Sequence, residues 1–322
     1  MTQATTFVTL DDITAAAERV RGAAIRTPVV QVPWPGAEAP HPFWLKCENL
    51  QLMGAFKVRG AFNMMAQLPA GVRARGVITY SSGNHGQGVA MAAQTLGVPA
   101  VIVMPTTAPG VKVDGVRRYG AEVIFEGTTS IDRQRRAEAE AAARGLSMIP
   151  PFDHPMIIAG QGTVALELLE QVPDVGTVFV PMGGGGLIAG VATAIKSLRP
   201  GVRVVGVEPM GAAKMRAARD AGHPVTLDRS ASIADGLMNL RAGTTTFEHV
   251  QRYVDEIVAV PDEAIAAAVS WLYRNARLVV EPSGAATTAA VMQGLGEPVG
   301  TVAAIVSGGN VQPEHFAKYI TS

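Results

Sequence analysis

The chain has 322 residues, 48% apolar and 17% charged, with 27 Lys and Arg balancing 27 Asp and Glu to a formal net charge of zero. That length suits one large domain or two modest ones, with ample material for a core. No basic run exists to follow a phosphate backbone, which argues against a nucleic-acid partner, and the single cysteine, Cys47, excludes an internal disulfide and any paired metal-ligand spacing.

The N-terminus is polar up to Leu10-Asp11-Asp12 and lacks the basic and apolar regions of a signal peptide. No apolar stretch is long enough to span a bilayer, so a cytoplasmic location is expected. A near-neutral surface leaves self-association unopposed by charge, which fits an oligomer.

Along the chain, short apolar runs alternate with helical patterns. Residues 77–80, 100–104, 122–125, 178–180, 204–207 and 303–306 read as buried strands. Residues 132–144, 162–171, 187–198 and 262–276 read as helices, the last with Asp262 as a negative charge in its first turn. This alternation predicts an α/β fold with parallel sheets covered on both faces. Breaks at Leu68-Pro69-Ala70-Gly71 and Ile149-Pro150-Pro151 suggest a split. Residues 71–149 then form a small domain, and 1–70 with 150–322 a large one.

Three glycine-containing loops follow expected strands. They are Ser81-Ser82-Gly83-Asn84-His85-Gly86, Gly183-Gly184-Gly185-Gly186 and Ser307-Gly308-Gly309-Asn310. In open parallel sheets, ligands bind beyond the carboxyl ends of strands, so these loops would meet at one crevice if their strands are suitably placed. Four consecutive glycines cost conformational entropy. In return they give close backbone approach and free N–H donors ahead of a helix, as in a phosphate cradle. On spacing alone, a cradle and a flexible connector stand level. Ile188 breaks the Gly-x-Gly-x-x-Gly spacing of a dinucleotide site, and no Gly-Lys-Ser/Thr follows to make a P-loop.

Lys57 lies in Met53-Gly54-Ala55-Phe56-Lys57-Val58-Arg59-Gly60-Ala61, between apolar neighbours. Desolvation there would lower its pKa and make it a better nucleophile or base. A lone lysine on a helix is otherwise a surface residue. The surrounding residues resemble the cofactor-lysine motif of the threonine dehydratase and serine racemase family, pyridoxal-phosphate enzymes of the second fold type. The likeness continues in family order through Ser81 to Gly88, Asp153-His154-Pro155, Ala159 to Thr163, and Val180 to Leu187. It extends through Ile233 to Gly236, Glu281 to Ala285, and Ser307 to Val311.

The resemblance implies a two-domain, open twisted parallel-sheet fold like that of the tryptophan synthase β chain. The cofactor, pyridoxal 5'-phosphate, would lie in the cleft between domains. Lys57 would carry the cofactor and take the α-proton of a bound amino acid, with Phe56 beside the pyridine ring. Asn84 would meet the ring hydroxyl, Gly183, Gly184, Gly185 and Gly186 the phosphate, and Ser307 the pyridine nitrogen. Leu187, Gly236 and Glu281 complete the implied cofactor shell. Ser81, Ser82, Gly83, Asn84 and His85 would hold the substrate carboxylate, with His85 in a supporting role. A serine at the pyridine nitrogen, in place of a carboxylate, makes a weaker electron sink and favours prompt loss of a β-leaving group.

The activity implied is a dehydratase that converts serine, threonine or 3-hydroxyaspartate to a 2-oxo acid and ammonia. Ser82 matches the serine facing the lysine in serine racemases. As a second base it would add racemisation; otherwise it only binds carboxylate. Arg133 falls where racemase relatives place an arginine near the substrate side chain, which would suit a second carboxylate. The alternative is a solvated helix arginine beside Arg135 and Arg136. Relatives are commonly homodimers.

The chain departs from the family pattern at two places. Ala55 replaces the commonest serine of the lysine motif. After Val207-Glu208-Pro209, the acidic position of metal-binding relatives is Lys214, which is no ligand for a hard cation. No metal is therefore expected, and the Lys214 ammonium is expected to take the cation's place beside Glu208. The chain ends soon after the Ser307 loop, so an effector-binding domain is not expected. Lys57-Val58-Arg59 and His85 speak against β-replacement enzymes of the cysteine synthase type. A catalytically silent amino-acid or cofactor binder would have no need of Lys57.

Overall fold

The computed structural model describes residues 7–36, 40–81, 83–108 and 110–321. Helix α1 (Leu10–Val20) starts in a capping box in which Thr9 and Asp12 satisfy each other's backbone N–H groups. Strands β1 (Val29–Val32) and β2 (Phe43–Cys47) follow, then α2 (Lys57–Ala66) and α3 (Ala70–Arg75). The break at Pro69 therefore separates two helices, with Pro69 as the N-cap of the second.

Next come β3 (Val77–Tyr80), α4 (Asn84–Leu96), β4 (Ala100–Met104), α5 (Gly110–Arg117) and β5 (Glu122–Phe125). Helix α6 (Ser130–Arg144) repeats the capping box with Thr129 and Asp132 and stops at Gly145 in the left-handed region. A two-residue strand, β6 (Ser147–Met148), leads to α7 (Pro155–Gln171), which has proline in its first turn.

The rest of the chain runs β7 (Val175–Pro181), α8 (Gly186–Leu198), β8 (Arg203–Pro209), α9 (Lys214–Ala221) and α10 (Thr244–Tyr253). It closes with β9 (Glu256–Val260), α11 (Asp262–Ala276), α12 (Pro282–Met292), β10 (Thr301–Val306) and α13 (Pro313–Thr321). Asp262 does sit in the first turn of α11. Its carboxylate is engaged elsewhere, accepting from Ser232 Oγ at 2.5 Å and Ile233 N at 3.0 Å.

The strands form two sheets, a six-stranded one in the order β1-β2-β10-β7-β8-β9 and a four-stranded one in the order β5-β4-β3-β6. Every pairing is parallel except β1 with β2. Ile158, Val164, Leu168, Ile188 and Val191 of α7 and α8 share the core on one face of the large sheet, while Ile265, Val269, Leu272 and Ala286 of α11 and α12 share the other. The small sheet is covered by α2, α4 and α5 on one face and by α6 on the other. Burial on both faces is why these strands read as unbroken apolar runs.

Close helix contacts set the distance between the two sheets' loops. A Cβ on Gly160 of α7 would lie 2.6 Å from Gly60 Cα of α2. One on Gly190 of α8 would overlap the backbone of Ile158 and Gly162 in α7. Backbone-to-backbone packing therefore fixes α2, which begins at Lys57, relative to α8, which begins in the glycine run.

Candidate active site

Strands β7 and β10 are neighbours, so the glycine run 183–186 and the Ser307 loop leave the same edge of the large sheet side by side. The loop after β3 in the small sheet reaches across to them. Asn84 Nδ2 donates to Glu281 Oε1 at 2.5 Å, and Asn84 Oδ1 accepts from Asn310 Nδ2 at 2.9 Å. All three glycine loops therefore converge on one cleft.

Lys57 stands at the first position of α2, preceded by Phe56, whose N–H donates to Ser307 O at 3.2 Å. Ala55 bridges to Gly308 through the backbone. The serine that is missing here is thus replaced at a buried position whose main chain does the joining. Lys57 Nζ donates to Pro151 O at 2.8 Å and lies 5.2 Å from the Phe56 ring centroid. Among the described residues no carboxylate lies within ion-pair distance of it. Burial with no opposing charge pulls the Lys57 pKa down to about 8. At neutral pH a useful fraction of the amine is then unprotonated and nucleophilic.

The glycine run is a built cradle. Gly185 has φ +98°, in the left-handed region, and immediately precedes α8. A Cβ there would lie 2.7 Å from Met215 Cε and 2.8 Å from Thr246 Oγ1. A Cβ on Gly184 would overlap the ring of Phe152, and one on Gly186 would press on the Phe152 backbone. At Gly183 it would lie 3.0 Å from Gly236 O, and Gly236 N in turn donates to Ser283 Oγ at 2.8 Å. A side chain at Gly184 or Gly185 would clash, and one at Gly183 or Gly186 would need its neighbours to give way. The result is a row of backbone N–H groups at a helix N-terminus, where the dipole favours an anion. Leu187, on the first turn of α8, is buried behind it.

Glu281 is buried at the N-cap of α12. Burial and the nearby Asp235 push its pKa up to about 8, against the pull of Lys112 and the hydrogen bond from Asn84. His85 is buried as well. Its Nε2 meets Ile149 O at 3.0 Å, and because a carbonyl only accepts, that nitrogen carries the proton. Burial, with the Lys57 charge adding to it, drives the His85 pKa down to about 3, so the ring is neutral. Ser81 Oγ accepts from Gly83 N at 3.1 Å, which shapes the turn.

A family model described as pyridoxal-phosphate dependent enzyme matches residues 20–308. The chain belongs to that family. It is 42% identical to the L-threonine ammonia-lyase of Thermotoga maritima over 305 residues, covering 95% of this chain and 76% of that one. It is 40% identical to an L-threo-3-hydroxyaspartate ammonia-lyase of a Pseudomonas species over 313 residues, covering 96% and 97%. The structure of maize serine racemase superposes with a TM-score of 0.94 at 37% identity, covering 98% of each chain. The chain spans only 54% of the length of the biosynthetic L-threonine dehydratase of Escherichia coli, to which it is 46% identical.

The residues present fit the family's cofactor. An amine of lowered pKa suits its aldehyde, the glycine cradle suits its phosphate, and Ser307, 4% exposed, follows β10 on the loop whose carbonyl accepts from Phe56 N.

Of the remaining positions, Ser82 lies outside the described residues. Arg133 is 9% exposed, so it is not the solvated helix arginine that its neighbours Arg135 and Arg136 suggest. Its Nη1 donates to Thr128 O at 3.3 Å, and Nε is buried with no hydrogen-bond partner. Burial lowers its pKa, and Tyr80, the residue before Ser81, is close enough to act on it.

Sequence reasoning did not reach several residues of the cleft. They are Pro151, whose carbonyl accepts from Lys57, Phe152, which packs against Gly184, Asn239, whose Oδ1 abuts Gly183, and Lys112 of α5, which forms an ion pair with Asp235. Nor did it reach the partners of Arg59. This residue is fully buried and bidentate to Glu48 (2.8 Å and 2.8 Å) and to Glu167 (2.6 Å and 2.9 Å). Its only signal was a charge inside an apolar motif. Among the described residues, no cluster of His, Cys, Asp or Glu could hold a metal ion, and no helix is long and apolar enough to cross a membrane.

Proposed function

We propose that this chain is a pyridoxal-phosphate-dependent ammonia-lyase that dehydrates a small β-hydroxy amino acid of the serine, threonine or 3-hydroxyaspartate type. The observation that carries the reading is the half-buried, uncompensated Lys57 amine of lowered pKa, set by Pro151 O beside the glycine cradle and the Ser307 loop. The bound cofactor supplies the electron sink for the α-carbanion. Gly183 to Gly186 hold its phosphate through their N–H groups, assisted by Leu187 and Gly236. Phe56 would pack at the ring, and Ser307 would meet the ring nitrogen without a negative charge. Asn84 keeps one amide hydrogen free of Glu281 for the ring hydroxyl.

The substrate carboxylate would sit on the backbone N–H groups and hydroxyls of the turn of Ser81, Ser82, Gly83, Asn84 and His85, the neutral His85 ring supporting that turn through Ile149 O. Lys57 Nζ accepts the α-proton, and the β-hydroxyl leaves as water. The resulting enamine tautomerises and takes up water, yielding one 2-oxo acid and one ammonia. Arg133, whose Nε is buried without a partner and which lies near Tyr80, would supply the pairing group for a substrate with a second carboxylate. Residues 71–149 form the small domain, and 1–70 with 150–322 the large one. The protein is read as a cytoplasmic homodimer that acts on a free amino acid.

The test is a panel of L- and D-serine, L-threonine and the 3-hydroxyaspartates on purified holoenzyme. Oxo acid is followed by coupled reduction and enantiomers by chiral chromatography. Oxo acid from one substrate, lost in Lys57→Ala by about 10³-fold or more, is expected. Opposite enantiomer as the main product would instead make the protein a racemase with Ser82 as second base. The 39% identity to Schizosaccharomyces pombe serine racemase keeps that outcome in view. Cofactor binding with no product from any substrate would leave a silent binder.

A further inference from the structure

Lys214 is the first residue of α9 and is completely buried, as is Glu208 at the end of β8. Its Nζ lies 2.9 Å from Met182 O, 3.0 Å from Ala212 O, 2.9 Å from Leu237 O and 3.0 Å from Glu208 Oε1. An ammonium has three hydrogens to give, yet four oxygens converge on it. All are hard donors, three carbonyls and a carboxylate, the set that otherwise encloses a hard metal ion. The carboxylate is itself held in place, accepting from Met215 N and Arg216 N at 3.0 Å each on the N-terminus of α9.

The position of this shell is what gives it a role. Met182 directly precedes Gly183. Leu237 directly follows Gly236, whose carbonyl abuts Gly183. Met215 abuts Gly185. The ammonium therefore stands directly behind the glycine run and ties together its entry, the 235–237 turn and α9. Without a cation at the centre, three carbonyl dipoles and a carboxylate would point at one buried spot. The cheapest relief would be rotation of the Met182 peptide, which would disturb the N–H groups that follow it.

We propose that Lys214 is a built-in cation that holds the phosphate cradle in its anion-accepting form. On this proposal the chain retains its cofactor without a metal ion, and removing the amine creates a cation requirement. Lys214 is a positioning residue, since it touches neither cofactor nor substrate.

The test is cofactor affinity without substrate, by absorbance and fluorescence titration of pyridoxal phosphate, on protein treated with chelator and exchanged into a tetramethylammonium buffer. The parent should bind equally well with and without chelator, magnesium or potassium. Lys214→Ala should bind on the order of tenfold more weakly or worse and recover on addition of ammonium, potassium or magnesium. Lys214→Met fills the space without charge, so it should stay weak in every salt. Three results would overturn the proposal. They are loss of cofactor from the parent on chelation, parent-like binding by Lys214→Met, and failure of both variants to fold in any of these salts. Refolding of Lys214→Ala only when a cation is present would support it. Because no turnover is read, failure here is distinct from failure of the lyase reading.

Discussion

Two buried groups of charges meet at one helix, and the contrast between them separates scaffold from chemistry. Lys57 and Arg59 are two residues apart on α2, which places their side chains on nearly opposite sides of it. Arg59 enters a closed network of two cations and two anions. It is doubly paired with Glu48 and Glu167, while Lys46 Nζ meets Glu167 Oε2 at 2.6 Å and Thr27 O at 2.8 Å. Burial opposes charge on Arg59, but Glu48 and Glu167 more than offset it and the guanidinium is held charged. Burial opposes charge on Glu48 too, but Arg59, with Lys46 and Thr27, more than offsets it and holds the carboxyl below its usual range. On the cleft side, Lys57 is half-buried and His85 and Glu281 are buried, all without full compensation. Each is drawn toward its neutral form. Burial draws Lys46 down as well, against the pull of Glu167 and Glu48, so the contrast lies between Arg59 and Glu48, held charged, and the three uncompensated groups of the cleft, where protons move.

The largest expected effect comes from breaking the closed side. Arg59→Met would leave Glu48 and Glu167 facing each other with only Lys46 to offset them. Removing one partner of a buried ion network costs about 3–5 kcal/mol, so urea unfolding should show that loss with cofactor absent. Lys57→Ala should leave the same unfolding curve nearly unchanged. If the two substitutions destabilise equally, the division between scaffold and reactive side fails.

Much of this was legible in the sequence because it is local. Strands β4 and β5 were read with the bounds they have, since Ala100 to Met104 and Glu122 to Phe125 are short runs rich in branched apolar residues. Strands β1, β2 and β9 were not. The first is four residues on the sheet edge, the second has the buried, charged Lys46 between Leu45 and Cys47, and the third is half-exposed at the other edge. A pattern read from apolar residues misses a strand whose buried residues include a paired lysine.

The same limit applies to the site. Lys57 and the glycine run announce themselves by neighbouring residues. The bond from Asn84 to Glu281 joins positions 197 apart, and the Arg59 network gathers residues from Ile25 to Gln171. Nothing local encodes such partners. Lys214 was legible as an oddity beside Glu208, but its three carbonyl contacts exist only once Met182 and Leu237 are folded together.

A second, smaller effect concerns pH. Glu281 has its pKa raised from 4.5 to about 8, so the folded state binds its proton more tightly than the unfolded chain does. The associated stability is fully present below pH 4.5, declines as pH rises through the interval, and is gone above pH 8. Glu281→Gln cannot titrate. Its unfolding free energy should fall less between pH 5 and pH 8 than that of the parent, measured by urea melts at both pH values. An equal fall in both would assign the pH dependence to another group.

The smallest effect, and the sharpest probe of the cleft, is at its mouth. Lys112 and Asp235 pair there with side chains 12% and 46% exposed, so water and salt screen them. Losing the pair should cost no more than about 1 kcal/mol of stability. Its influence on Glu281 is separate, because Asp235 raises that carboxyl's pKa and Lys112 lowers it. The two single substitutions therefore have opposite signs. Asp235→Asn should move the Glu281 titration to lower pH, and Lys112→Met should move it to higher pH. Each can be followed in the pH profile of holoenzyme absorbance against Glu281→Gln as a baseline. A mere loosening of the cleft would shift both variants the same way. Opposite shifts require that Glu281, bonded to Asn84, senses the field of the pair across the mouth.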